Sequence, residues 1–185
     1  MSIQLESDLL AQVMGRSEAK SGSLQSQAED AVISHEQFAD CVYRAAKSVL
    51  ATMCNMEVGP AGEICSGVSS QRHALSGIVS MSGSLKATIV INLPPVLAMK
   101  ASAALLGSAS KEVDGDVIDT IAELANMIGG NAKNLLGIKG GQLSIPTVVK
   151  GPAHSLVLSS KTEQWGMCVD VDDNDLRLEF ILCDA

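Results

Sequence analysis

Five residues in the middle of the chain combine reactive types with a spacing that sets them side by side. Asp119, Glu123, Asn126, Gly130 and Lys133 recur at steps of three and four residues. On a helix turning about 100° per residue they lie within about 40° either side of Asp119. One stripe then carries two carboxylates, an amide, a position without a side chain and an ammonium. Such groups can ion-pair with another surface, and an amide accepts and donates hydrogen bonds without a change of protonation. The stripe behind it, Ile121, Ala125, Ile128, Ala132 and Leu135, is wholly apolar and is the expected core face. That much describes an amphipathic helix with a solvated side. Two features go further. Gly129 and Gly130 sit together inside the helix, where each costs roughly 1 kcal/mol relative to Ala, and a paired glycine beside Asn126 lets another molecule's backbone come close. Asn126, Asn131 and Asn134 also place three amides where packing asks for none.

Other constellations fail their own tests. Cys41, Cys54, Cys65, Cys168 and Cys183 are odd in number with no C-x-x-C pair, and His35, His73 and His154 lie far apart with no H-E-x-x-H. Neither a disulfide framework nor a metal site is expected, and the thiols read as small buried groups in a reducing cytoplasm. Asp170, Asp172 and Asn174 occupy the first three ligand positions of a calcium loop, but Asp175 stands where Gly is needed and Ile181 where Glu is needed. Turn chemistry explains that cluster. Gly137-Ile138-Lys139-Gly140-Gly141 lacks the Walker spacing and follows a helix, whose C-terminus repels anions. No G-x-S-x-G elbow exists and the histidines show no Ser or Cys partner, so His73 and His154 read as structural or surface residues.

The 185 residues carry 13 Lys plus Arg against 21 Asp plus Glu, a formal charge of −8. That is one ordinary domain, large enough to bury a core without staples. The charge, with only Phe38, Tyr43, Trp165 and Phe180 as aromatics, disfavours a nucleic-acid partner. No stretch approaches the ~18 apolar residues of a membrane span; Ala87 to Met99 is interrupted by Asn92, Pro94 and Pro95. Met1 to Glu6 lacks the basic and apolar regions of a signal peptide, which leaves the cytoplasm as the expected location.

The stripe needs elements to hold it. Residues 1–30 read as a polar appended arm, with a short amphipathic piece from Ile3 to Met14, and residues 31–185 as the domain. Ser34 and Gln37 form a capping box before Phe38, Cys41, Val42, Ala45, Val49 and Met53, predicting a helix over 35–54. Three extended segments follow between 63 and 93. In the third, Leu85, Ala87, Ile89 and Ile91 alternate with Lys86, Thr88 and Val90. Pro94 and Pro95 open a short helix that stops at Gly107. The striped helix runs from about Asp114 or Asp116 to Leu136. Strands are predicted over Gln142–Lys150, which Pro146 confines to an edge or bulge, over His154–Ser160, and in a last hairpin around Asp172-Asp173-Asn174-Asp175. Helices and hairpins grouped in this way predict an α+β fold, a mainly antiparallel sheet with two long helices and one short helix packed on it.

Asp119-x-x-x-Glu123-x-x-Asn126, continued through Met127-Ile128-Gly129-Gly130-Asn131-Ala132-Lys133 and then Leu143-Ser144-Ile145-Pro146-Thr147-Val148-Val149, resembles the active-site segment of the CheX branch of the CheC/CheX/FliY phosphatases. Gly83-Ser84-Leu85-Lys86-Ala87-Thr88-Ile89-Val90-Ile91-Asn92-Leu93-Pro94 is similar to that family's strand-into-Pro segment, and the likeness covers about residues 36–183. The family's Asp or Ser, Glu, Asn and downstream Pro are matched by Asp119, Glu123, Asn126 and Pro146, although the 19 residues between Asn126 and Pro146 fall short of the usual gap.

The resemblance implies a phosphatase that hydrolyses the phospho-aspartate of a CheY-like receiver domain in chemotaxis or two-component signalling. Glu123 and Asn126 would be its catalytic residues, and Asp119, Gly130 and Lys133 would meet the partner. It implies no cofactor of the chain's own, since the Mg²⁺ belongs to the phosphorylated receiver. A homodimer is the implied assembly, and the final hairpin is apolar enough to pair outside the chain. A non-enzymatic receiver-binding scaffold of the same fold is the alternative.

Overall fold

Ser34 opens the first helix, α1 (His35–Cys54), as its neighbours require. Its hydroxyl accepts from the Gln37 N–H at 3.2 Å, and the Gln37 side chain accepts from the Ser34 N–H at 3.0 Å, a reciprocal cap. The structure, a computed structural model, describes residues 33–67, 72–152, 154, 156 and 162–183. The expected arm and most of the expected strand His154–Ser160 lie outside the described residues. Residues 34–185 make up one compact unit. The buried stripe of α1 is Phe38, Ala39, Val42, Ala45, Ala46, Val49 and Leu50, whereas Met53, expected inside and in line with that stripe, is exposed in the last turn. Pro94 and Pro95 start α2 (Pro95–Leu106), which ends at Gly107 in the left-handed conformation. Asp114 caps α3 (Gly115–Leu135), accepting from the Val117 N–H at 3.1 Å, and that bond holds its carboxyl below the ordinary range.

The strands are β1 (Val58–Ala61), β2 (Cys65–Ser66), β3 (Leu75–Ser82), β4 (Lys86–Leu93), β5 (Gln142–Leu143), β6 (Thr147–Lys150), β7 (Gln164–Val171) and β8 (Asn174–Cys183). They form one antiparallel sheet in the order β1-β7-β8-β4-β3-β5, with β2 also on β7 and β6 also on β3. The α+β architecture is the one predicted. The hairpin's place in it is not: β7 pairs with β1, β2 and β8, and β8 with β7 and β4, so both strands spend both edges inside the chain. Asp172 and Asp173, at φ 50° and 63°, form its two-residue turn. The Asp172 carboxylate accepts from the Glu57 N–H at 2.8 Å and pairs with Lys100 at 2.5 Å, as turn chemistry rather than a calcium loop requires.

Helix α3 lies directly on β3 because two glycines permit it. A Cβ at Gly77 would stand 2.9 Å from Ile121 Cγ2 and 3.1 Å from the Ile121 carbonyl oxygen; one at Gly129 would stand 2.8 Å from Val79 Cγ1. Gly77→Val is expected to force the layers apart and cost about 1–3 kcal/mol. Urea unfolding reads this as a lower midpoint at unchanged slope, and an unchanged midpoint would remove the close-approach role.

The sheet's other face is polar and partly covered. Val90 and Asn92, on that face of β4, are fully buried, so the alternation in β4 understates its burial. Arg72 donates to the Glu179 carboxylate oxygen that also accepts from the Gln164 amide. Burial pushes the Glu179 carboxyl above the ordinary range, against the pull of Arg72. His154 does have a serine partner. Its Nδ1 lies 2.9 Å from the Gly151 carbonyl, which only accepts, so Nε2 takes the hydroxyl hydrogen of fully buried Ser76 at 2.8 Å. The bond ties the residues after β6 to β3 and leaves His154 structural.

Candidate active site

The apolar stripe of α3 does what its spacing demands. Ile121, Ala125, Ile128 and Ala132 are buried, with Leu124 beside them; Leu135 is exposed instead, because it closes the helix just before the chain turns away at Gly137. With that face fixed on the sheet, Asp119 and Glu123 point to solvent and Asn126 and Gly130 are half-buried along one flank. Asp119 and Asn126 are seven residues apart, about 10 Å along the axis. Among the described residues, Asp119, Glu123 and Asn126 make no side-chain hydrogen bond or ion pair.

The other two expected site residues behave differently. The Lys133 ammonium donates one hydrogen bond to the Gly141 carbonyl, fastening the connection after α3 to the helix. The glycine pair divides its work. Gly129 is demanded by Val79, while a Cβ on Gly130 would meet only Leu143 Cδ1 at 3.8 Å, which leaves its outer side open.

Pro146 joins this flank through the sheet edge. Leu143 of β5 pairs with Met81 and Thr147 of β6 with Ile78, so residues 144–146 stand against only Val79 and Ser80, a bulge that ends β5 before the proline. Gly129 and Gly130 approach Leu143, and Gly77, which pairs with Val148, approaches Ile121 and Ala125. The 144–146 link therefore passes α3 at the level of Asn126. It also carries Ile145, at 90% the most exposed large apolar residue described. No periodicity singles out Ile145; its one signal is an apolar side chain directly before proline in a connection.

Two carboxylates and an amide, with no nucleophile on the stripe, can position a water and a cation that another molecule brings. Among the described residues, no three His, Cys, Asp or Glu are grouped to hold a metal, and no helix is long and apolar enough to cross a membrane.

Comparison with known proteins identifies the fold and the family. The family model for chemotaxis phosphatase CheX matches residues 75–170, from the start of β3 into β7 and across all of α3. No curated protein matches the chain. A CheC-like superfamily protein from Shewanella sp. PV-4 superposes with a TM-score of 0.71 at 27% identity, over 80% of this chain and 97% of that one. Chemotaxis protein CheX from Vibrio vulnificus gives 0.72 at 22% identity, over 80% and 99%. The CheX of a CheX–CheY–BeF₃–Mg²⁺ complex from Borrelia burgdorferi gives 0.66 at 22% identity, over 80% and 98%. The shared helix-on-sheet fold, and a family match that contains the whole striped helix, place this chain in the CheX family of chemotaxis phosphatases.

Proposed function

We propose that this chain dephosphorylates the phospho-aspartate of a CheY-like receiver domain. The observation that carries the reading is the pair Glu123 and Asn126, one turn apart on an outward stripe and without a side-chain partner among the described residues. Water attacks the phosphorus, the bond to the aspartyl oxygen breaks, and inorganic phosphate leaves the receiver with its carboxylate restored. Phosphoryl transfer of this kind is chiefly positioning and charge stabilisation. The receiver's own Mg²⁺ and lysine supply the charge. Asn126 accepts one hydrogen bond from the attacking water and donates another to fix its direction. Glu123 pairs with the receiver's lysine and sets the register of the two surfaces. Asp119 extends that contact, and the open side of Gly130 leaves room for the receiver's loops.

The family in which the chain stands and the CheY found with the Borrelia burgdorferi relative support this partner. The reading includes a cytoplasmic homodimer. Of the described strands, those with an unpaired side are β1, β2, β5 and β6, so a sheet continued across two copies would use those rather than the final hairpin.

Glu123→Lys puts like charges together, and KM for the phosphorylated receiver is expected to rise about tenfold, ~1.4 kcal/mol. Raising the salt concentration should weaken binding by the natural protein and not by the variant. An unchanged KM would remove the ion pair from the account.

A further inference from the structure

We propose that Ile145 is a rigid apolar knob that seats in an apolar patch of the receiver beside its phosphorylation site, and so sets affinity and partner choice without touching the reacting atoms. The inference rests on the reading that the α3 stripe docks on a receiver. A lone exposed apolar side chain is ordinary on a protein surface. Three features set this one apart.

The first is its degree of exposure. Ile145 is 90% exposed, while the other exposed large apolar residues, Met53, Val96, Leu106 and Leu135, lie between 42% and 54%. Its side chain packs on almost nothing in its own chain, so its burial awaits another surface.

The second is its position. Ile145 lies on the 144–146 link, between Leu143, which Gly129 and Gly130 approach, and Val148, which pairs with the Gly77 that faces Ile121 and Ala125. This is the flank of α3 on which Lys133 reaches Gly141, and Asn126 lies at the level of the link. A receiver that lays its active site over Glu123 and Asn126 therefore meets this edge as well.

The third is rigidity. The Ser144 N–H donates to the Ser80 carbonyl at 2.8 Å, the Ser144 hydroxyl accepts from the Ser80 N–H at 3.0 Å, and that hydroxyl donates to the Ile145 carbonyl at 3.1 Å. From the other side Pro146 restricts Ile145 to extended backbone. A β-branched side chain on a backbone held in place before binding has few rotamers to lose on docking, and its buried area then counts toward affinity. The polar stripe supplies charge register, and the knob tests whether the surface beside the phosphorylation site is apolar and concave. Receivers with a charged side chain there should be rejected.

The test pairs steady-state phosphate release from a CheY-like receiver of the same cell, phosphorylated by a small phosphodonor, with the dissociation constant for that receiver activated by beryllofluoride. Ile145→Ser and Ile145→Asp remove an exposed side chain and are expected to fold as the natural protein does. Both should raise KM and the dissociation constant by about tenfold or more with kcat within a factor of two, and Ile145→Leu should restore binding to within about threefold. Equal constants for Ile145→Ser and the natural protein would overturn the proposal, as would a loss confined to kcat. If the natural protein binds without speeding release, while Ile145→Ser binds more weakly, the knob stands and the phosphatase reading fails. If the natural protein does not bind the receiver, both fall.

Discussion

Asn126→Ala is expected to slow receiver dephosphorylation on the order of 10²-fold, or ~2.7 kcal/mol of barrier, with the dissociation constant for the receiver within a few-fold of the natural protein's. The expectation follows from the position of the amide. Its side chain has no partner among the described residues, so its removal breaks no bond among them, and Ala is the better helix former. The variant should be at least as stable as the natural protein, and lost activity cannot then be ascribed to unfolding. The split is diagnostic: Glu123 and Ile145 should act on binding, Asn126 on turnover. Rates and binding constants measured on one preparation, with a urea curve, check all three statements. Loss of binding equal to the loss of rate would make Asn126 a docking residue.

The largest stability effect is expected on the opposite face of the sheet. Arg72→Met should cost about 3–5 kcal/mol, because it removes the cation hydrogen-bonded to buried Glu179 and leaves only the electrostatic pull of Arg177. Gln164 would remain as a single neutral donor to it. Arg72 Nε and Nη1 and Glu179 Oε1 are already buried with no hydrogen-bond partner among the described residues, so the pair is costly as well as cohesive. The double change Arg72→Met with Glu179→Leu should therefore recover most of the loss. The pH dependence has a definite sign. Burial holds the Glu179 carboxyl above its ordinary range, and without Arg72 it rises further. A raised carboxyl keeps its proton in the folded chain at pH values where the unfolded chain has released it, so the variant loses stability as pH rises above about 4. Its deficit should be smaller near about pH 5 than near about pH 7. A single variant as stable as the natural protein, or a deficit that grows on acidification, would contradict the assignment.

What was legible in advance depended on how local its cause was. Ser34 with Gln37, Pro94 with Pro95, Gly107 and Asp114 each carry their own cap or stop chemistry; the three helices begin beside Ser34, Pro94 and Asp114, and the second ends at Gly107. The polar stripe of α3 could be drawn because helical period alone fixes it once the apolar stripe is buried. Pro146 announced its bulge by lacking a backbone N–H. The remainder is set by residues distant in the chain. Gly129 looked like room for another molecule and proves to be room for Val79, a contact made only when β3 is under α3. The carbonyl that accepts the Lys133 hydrogen bond belongs to Gly141, in the connection beyond the helix, where helical period gives no sign of it. Ser76 and His154 are 78 residues apart and Arg72 and Glu179 are 107 apart, with no motif linking either pair. The hairpin's apolar strands suggested an edge in search of a partner, and sheet order placed them in the middle.

If this helix completes a receiver's own hydrolytic site, the decay of phosphoryl-receiver with Mg²⁺ present, followed alone, with the natural protein and with Asn126→Ala, will show it. Catalytic amounts of the natural protein should accelerate inorganic phosphate release with multiple turnovers, and Asn126→Ala should return the decay close to the receiver's own rate although it still binds. Acceleration by both proteins alike would contradict the role of α3, and binding by both without acceleration would contradict the enzyme and leave a scaffold built on the same surface.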